Sequence, residues 1–216
     1  MNPKTKNVLI WSAIAVGIAG VSFLIIKLLN KKSKKSAFQK KIIDIANQEW
    51  SDWDKGKAKE DNPKMLSRLT TYWENVGWKP SQWTTTGTAW SAAFISYVMR
   101  KGGAGSKFKY DASHSDYIRD AVKNRKENNS NPFKAYRLSE KAPEEGDLVC
   151  YSRMSQTDLY DKTSSYKSHC DIVVKKTSDT IDVIGGNVSH TVGKKTVQLN
   201  SDGTVKAGSA GKKWFT

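Results

Sequence analysis

Acidic residues are missing from the first 41 positions, which carry nine lysines and no aspartate or glutamate. Setting those nine charges aside from the net +15 of the 216-residue chain leaves +6 for the other 175 residues. The strong basic character therefore belongs to one end. An anionic lipid surface explains it more economically than a nucleic-acid groove, and no specific nucleic-acid partner is expected. Cysteine is scarce as well, limited to Cys150 and Cys170. Two cysteines exclude a disulfide-stapled scaffold and a four-cysteine zinc site, and they leave open whether the two pair. Histidine occurs only at 114, 169 and 190, without metal-ligand spacing. No phosphate-cradling glycine loop and no internal repeat is present, so neither a metal nor another cofactor is expected.

What the chain does have is one long apolar run. Val8 to Ile26 reads VLIWSAIAVGIAGVSFLII without a charge, and at the helical rise it spans roughly 28 Å, about the hydrocarbon thickness of a bilayer. Trp11 near one end and Lys27, Lys31 and Lys32 past the other are the interfacial anchors of a single transmembrane helix. A cleaved signal peptide would have a shorter apolar region, and small residues where this chain places lysines. The expected organisation is a tail at 1–7, a membrane helix at 8–26, a basic linker at 27–36 and a folded domain at 37–216. Lys4 and Lys6 precede the helix and seven lysines follow it, so the positive-inside rule places the domain in the cytoplasm. A protein of a viral membrane, or one delivered by another machine, is not bound by that rule in the ordinary way.

Within the domain, Phe38, Ile42, Ile43, Ile45, Ala46 and Trp50 recur at helical spacing and predict a helix over 37–50. Asp61-Asn62-Pro63 opens a second, whose stripe of Leu66, Leu69, Tyr72, Trp73 and Val76 ends near Gly77. Ala89 to Lys101 is a third, stopped by Gly102-Gly103, with the threonines of 84–88 as expected N-caps. Ser113 to Asn124 is the fourth. Beyond Pro143, GDLVCYSR, SHCDIVVKK, TIDVIGGNV and KKTVQLN are short Val- and Ile-rich runs between polar turns, expected as strands. Helices followed by hairpin-connected strands predict an α+β domain with an antiparallel sheet. Six tryptophans, Trp50, Trp53, Trp73, Trp78, Trp83 and Trp90, cluster in the helical half and are expected mainly as core.

Three residues fall in a suggestive order: Ser91 entering a buried helix, His169 at the head of a strand and Asn187 at the end of the next. A helix N-terminus favours a developing anion, and its free N–H groups can hold an oxyanion. A histidine to take the proton and a polar group to orient it complete the logic of acyl transfer. The stretch WSAAFISYVMRKGGAG resembles the nucleophile helix of papain-like cell-wall peptidases of the NlpC and CHAP kind. PEEGDLV, SHCDIVV and VIGGNV resemble the strands that follow it there. More closely, NQEWSDW, YWENVGW, TAWSAAFISYVMRKGGA, FKYDASHSDYI, EEGDLVCYSR, SHCDIVV and IDVIGGNVSHTV, in that order, resemble the bacterial domain-of-unknown-function family 2272 over roughly residues 38–205.

The resemblance implies a papain-like fold and a cell-wall peptide substrate, and so a peptidoglycan hydrolase, an endopeptidase or amidase. A tether in a bacterial or viral membrane suits local wall opening in lysis or virus entry, with the domain facing the cell wall although the positive-inside lysines argue otherwise. Ser91 then stands where the peptidases have cysteine, His169 is the base and Asn187 its orienter, while Trp90 lines the cleft and His114 and Asp171, the latter on the same strand face as His169, line it too or replace Asn187 in polarising the base. A serine hydroxyl needs a base acting in the transition state where cysteine can be held as a thiolate. The alternative is a non-catalytic module that keeps the cleft and binds a wall peptide or a protein. Cys170 points to the opposite strand face from His169; with Cys150 it can form a disulfide or two packed thiols across the hairpin. His190 is expected as a surface loop residue.

Overall fold

The computed structural model describes residues 35–155 and 158–214. The expected membrane helix at 8–26 and the tail before it lie outside the described residues, as does nearly all of the linker. Among the described residues, no helix is long and apolar enough to cross a membrane. From Lys35 onward the chain forms one compact unit.

Helix α1 (Ala37–Asp52) begins at a capping box. The Ser36 hydroxyl accepts the N–H of Gln39 at 3.1 Å, and the Gln39 side chain accepts the N–H of Ser36 at 2.9 Å, so two orphan donors are satisfied. Its buried stripe is Ile42, Ile43 and Ala46. Helix α2 (Leu66–Glu74) follows a 3-10 turn at Pro63–Met65, where Asn62 accepts the N–H of Lys64 at 3.0 Å. Helix α3 (Ser91–Gly102) is buried along nearly its whole length and stops at Gly103, whose φ of +96° suits glycine. The threonines before it do not cap it. Thr84 accepts the N–H of Gly87 and Thr88 that of Thr84, which closes the preceding turn and leaves the N-cap to Trp90, without a side-chain cap. Helix α4 (His114–Lys126) completes the helical half.

The strands are β1 (Leu148–Ser152), β2 (Ser168–Lys176), β3 (Thr180–Gly185), β4 (Gly193–Gln198) and β5 (Lys213–Trp214), in the order β4-β3-β2-β1-β5 with every neighbouring pair antiparallel. The α+β expectation holds, and the two-residue β5 adds a fifth strand too short to leave a periodic signature. Side chains alternate across this sheet. Cys150, Cys170, Ile172, Val174 and Ile184 join the main core with Trp53, Trp73, Trp90, Phe94 and Ile95. Val149, Tyr151, Val173, Val183 and Val197 form a second core, closed by Leu199, Val205 and Trp214 as the C-terminal segment packs against them. Cys150 and Cys170 stand opposite in register, Cα atoms 4.1 Å apart, and form a disulfide. Trp53, Trp73, Trp83 and Trp90 are buried, and Trp50 and Trp78 pack against the core from its edge.

Candidate functional site

Two polar clusters meet where helices α3 and α4 begin and strand β2 starts. The first is built on Ser91. As the first residue of an uncapped helix, Ser91 stands beside first-turn N–H groups that have no intrahelical partner. Its Oγ lies 2.7 Å from Nε2 of His114, the first residue of α4. Nδ1 of His114 is hydrogen-bonded to the Tyr117 hydroxyl, one helical turn on. Ser91 is 3% exposed and His114 5%. Burial, reinforced by His169 and Arg153, holds the His114 imidazole well below the usual histidine range, so it is neutral at pH 7 and free to accept a proton. Burial, with Asp171 and Asp111, pushes the Tyr117 hydroxyl well above the usual tyrosine range, so it stays protonated.

The second cluster is built on β2. Alternation puts His169 and Asp171 on one face, and His169 Nε2 lies 3.1 Å from Asp171 Oδ1. The other Asp171 oxygen is 2.7 Å from Nζ of Lys195 on β4, which also lies over the rings of Tyr151 and Trp214. His169 Nδ1 is 2.8 Å from a guanidinium nitrogen of Arg153. Guanidinium only donates, so Nδ1 is the acceptor and the imidazole proton sits on Nε2, directed at Asp171. Burial lowers the His169 pKa against the opposing pull of Asp171. Burial works to raise the Asp171 carboxyl, but His169 and Lys195 outweigh it and hold the group at about 2. The cluster is therefore a neutral imidazole, a carboxylate and an ammonium. The two clusters touch through the rings of His114 and His169, whose centroids are 5.1 Å apart.

The expected pairing of residues changes accordingly. Ser91 bonds to His114, not to His169, because α4 delivers its first side chain directly to the first side chain of α3. His169 is oriented by Asp171, not by Asn187. Asn187 lies in the turn after β3 with φ at +53°, and among the described residues His169 bonds to Asp171 and Arg153 only. Trp90 is fully buried: it stacks on Trp53 and Tyr72, and its Nε1 donates to Glu60 at 2.6 Å. It therefore offers no free face to a ligand. Buried Glu60 also bonds to exposed His190 at 2.7 Å, which ties the loop after β3 to the residue preceding Ser91.

The two glycines of VIGGNV have steric reasons. A Cβ on Gly185 would lie 2.0 Å from Asp171 Oδ1 and 2.9 Å from His169 Nε2, and one on Gly186 would strike Phe94 and Trp90. Glycine at 185 thus leaves space for the buried His169–Asp171 pair. Glycine at 186 lets the end of β3 approach the first turn of α3. Sequence reasoning missed Tyr117, Lys195 and Arg153. Tyr117 stands three residues after His114 on a helix, which is a usable signal; Lys195 and Arg153 reach the site through strand register and a loop, which leave none.

An α+β domain that places a buried serine–histidine pair at the junction of two helix N-termini, beside a second histidine held by a carboxylate, defines the class. Residues 61–213 match the family DUF2272, described as an uncharacterized protein conserved in bacteria, and the chain belongs to that family. No curated protein and no solved structure is significantly similar to it.

Proposed function

We propose that this domain is a papain-like hydrolase that cleaves peptide amide bonds of peptidoglycan with Ser91 as nucleophile and His114 as its base. The observation that carries this reading is the 2.7 Å contact between Ser91 Oγ and a neutral His114 at an uncapped helix N-terminus. With Nδ1–H donating to Tyr117, His114 Nε2 accepts the serine proton as Oγ attacks the carbonyl carbon. The oxyanion falls to the first-turn N–H groups of α3. His114 then gives the proton to the leaving amine, and water hydrolyses the acyl-serine by the same route. Tyr117 orients the ring but brings no charge, so Asp171 supplies the favourable field for the imidazolium. The order of the elements supports the papain-like relation: a nucleophile-bearing helix precedes an antiparallel sheet with a histidine near the head of β2. A basic domain suits an anionic wall, and a tether at residues 8–26 would keep it beside one.

A second reading rests on burial. Ser91 and His114 are hydrogen-bonded to each other and closed to solvent, which fits a module that binds a wall peptide or a protein without cleaving it. Incubating the full-length chain with purified peptidoglycan and resolving the fragments by mass spectrometry separates the two. New termini that vanish in Ser91→Ala and His114→Ala establish the hydrolase and identify the bond, and His169→Ala reports which histidine is the base. Cleavage by Ser91→Cys alone means a binding module on an old catalytic frame. Silence from every folded version overturns the hydrolase.

A further inference from the structure

We infer that Arg153 is the group that takes a carboxylate of the ligand at this site, and that taking it uncovers His169 Nδ1. The inference rests on the wall-peptide reading of the site and names the chemistry by which that ligand is recognised. Arg153 directly follows β1, and its backbone N–H donates to the carbonyl of Lys167 at 3.0 Å. Its side chain is exposed while the histidine beneath is fully buried.

Charge within the cluster is already balanced without it. The Asp171 carboxylate is matched by Lys195 at 2.7 Å, and His169 is neutral, so the charge on Arg153 is surplus. Four of the six arginines, Arg68, Arg119, Arg125 and Arg137, have carboxylate partners. Arg153 has none among the described residues: its guanidinium is hydrogen-bonded to a neutral ring nitrogen and lies beside the Tyr151 hydroxyl, which burial keeps protonated. Exchanging that acceptor for a carboxylate replaces a single bond to a neutral nitrogen with a bidentate pair between opposite charges, the stronger of the two. A planar oxyanion at the exposed edge is therefore the ligand this fork fits.

The exchange leaves His169 with a free Nδ1, its Nε2–H still on Asp171. The groups facing that ring are His114 from α4, Tyr151 and Arg153 from β1 and its end, and Lys195 from β4. Removing the guanidinium from Nδ1 takes away a cation that opposes protonation, so a ligand carboxylate makes His169 a better proton acceptor.

The test uses the full-length chain with ¹⁵N-labelled histidine, titrated with N-acetylglycine, which has a carboxylate, and with N-acetylglycinamide, which does not. In the wild type the acid should move the His169 Nδ1 resonance and bind about tenfold more tightly than the amide. Arg153→Gln should erase that preference, and Arg153→Lys, a charge without the fork, should keep only part of it. Where cleavage is observed, peptides ending in a free carboxylate should be cut with a higher kcat/KM than their amides, again only with Arg153 present. Equal binding of acid and amide, with His169 unmoved, overturns the proposal even where the chain cleaves peptidoglycan. A carboxylate-specific shift lost in Arg153→Gln, in a chain that cleaves nothing, upholds the proposal while the hydrolase fails.

Discussion

Three carboxylates are buried among the described residues, Glu49, Glu60 and Asp171, and the partners of the first and the last give them different work. Glu49 sits among α1, α2 and α3, where Oε2 accepts from the Tyr72 hydroxyl and from Arg68 at 2.8 Å, and Oε1 from the Tyr97 hydroxyl at 2.9 Å. Trp53 Nε1 in turn donates to the Tyr72 hydroxyl at 2.9 Å. Burial, with Glu49 beside it, pushes the Tyr72 hydroxyl well above the usual range, so none of these donors changes state near neutral pH. The arrangement fastens three helices together. Asp171 is as deeply buried, but one of its two partners is an imidazole. A carboxylate surrounded by fixed donors is a structural joint, whereas one that shares a histidine is coupled to a group that can move a proton.

The sharpest way to break this comparison is to remove each carboxylate. Glu49→Ala leaves the Tyr72 and Tyr97 hydroxyls without their acceptor, and Asp171→Ala leaves the Lys195 ammonium buried without its counter-ion. Each should lower the free energy of urea unfolding by about 3–5 kcal/mol. Only Asp171→Ala should also change the titration of the His169 ring, read by ¹⁵N NMR. An equal change in Glu49→Ala would mean that the two networks are one. A smaller loss is expected on cutting the covalent link between β1 and β2. Replacing Cys150 and Cys170 together by serine should cost about 2–4 kcal/mol, seen as a lower urea midpoint, without altering the Ser91–His114 pair on the adjoining helices.

The helical joint and the site were unequally legible in the sequence. The stripes of α1 and α2 and the glycine stop of α3 place those helices to within a few residues, because burial along a 3.6-residue period is written locally. Ser91, His114, His169 and Asp171 were all visible as candidates, and the GGN turn marked the approach of β3 to the first turn of α3. Of their connections, only the shared strand face of His169 and Asp171 was visible. Whether Ser91 meets His114 or His169 depends on where α4 starts relative to α3, which is decided by packing across many residues. Lys195 reaches Asp171 because β3 lies between β2 and β4 in one register, and Gly185 leaves the carboxylate room. Glu49 and Glu60 look like surface acids on a local reading, and only their distant donors, Arg68 for one and Trp90 with His190 for the other, explain why they are inside.

The smallest expected effect separates the two regions by pH. His114 and His169 are both held below the usual histidine value, chiefly by burial. As pH falls below about 6.5, the unfolded chain protonates these rings while the folded chain keeps them neutral. The unfolded state then binds more protons, so stability declines toward acid, by at most about 1.4 kcal/mol per pH unit for each ring, until the folded values are reached. Asp171 acts in a separate window. With its folded value at about 2, its contribution is lost only as pH falls from about 4 toward that value. Urea unfolding at a series of pH values should therefore show a decline beginning near pH 6.5. His114→Gln and His169→Gln should each remove part of it, and Tyr97→Phe, which takes a donor from Glu49, should leave the slope in place. A slope unchanged by both histidine substitutions would mean that neither ring is kept neutral by the fold, and the distinction between joint and proton-moving cluster would fall with it.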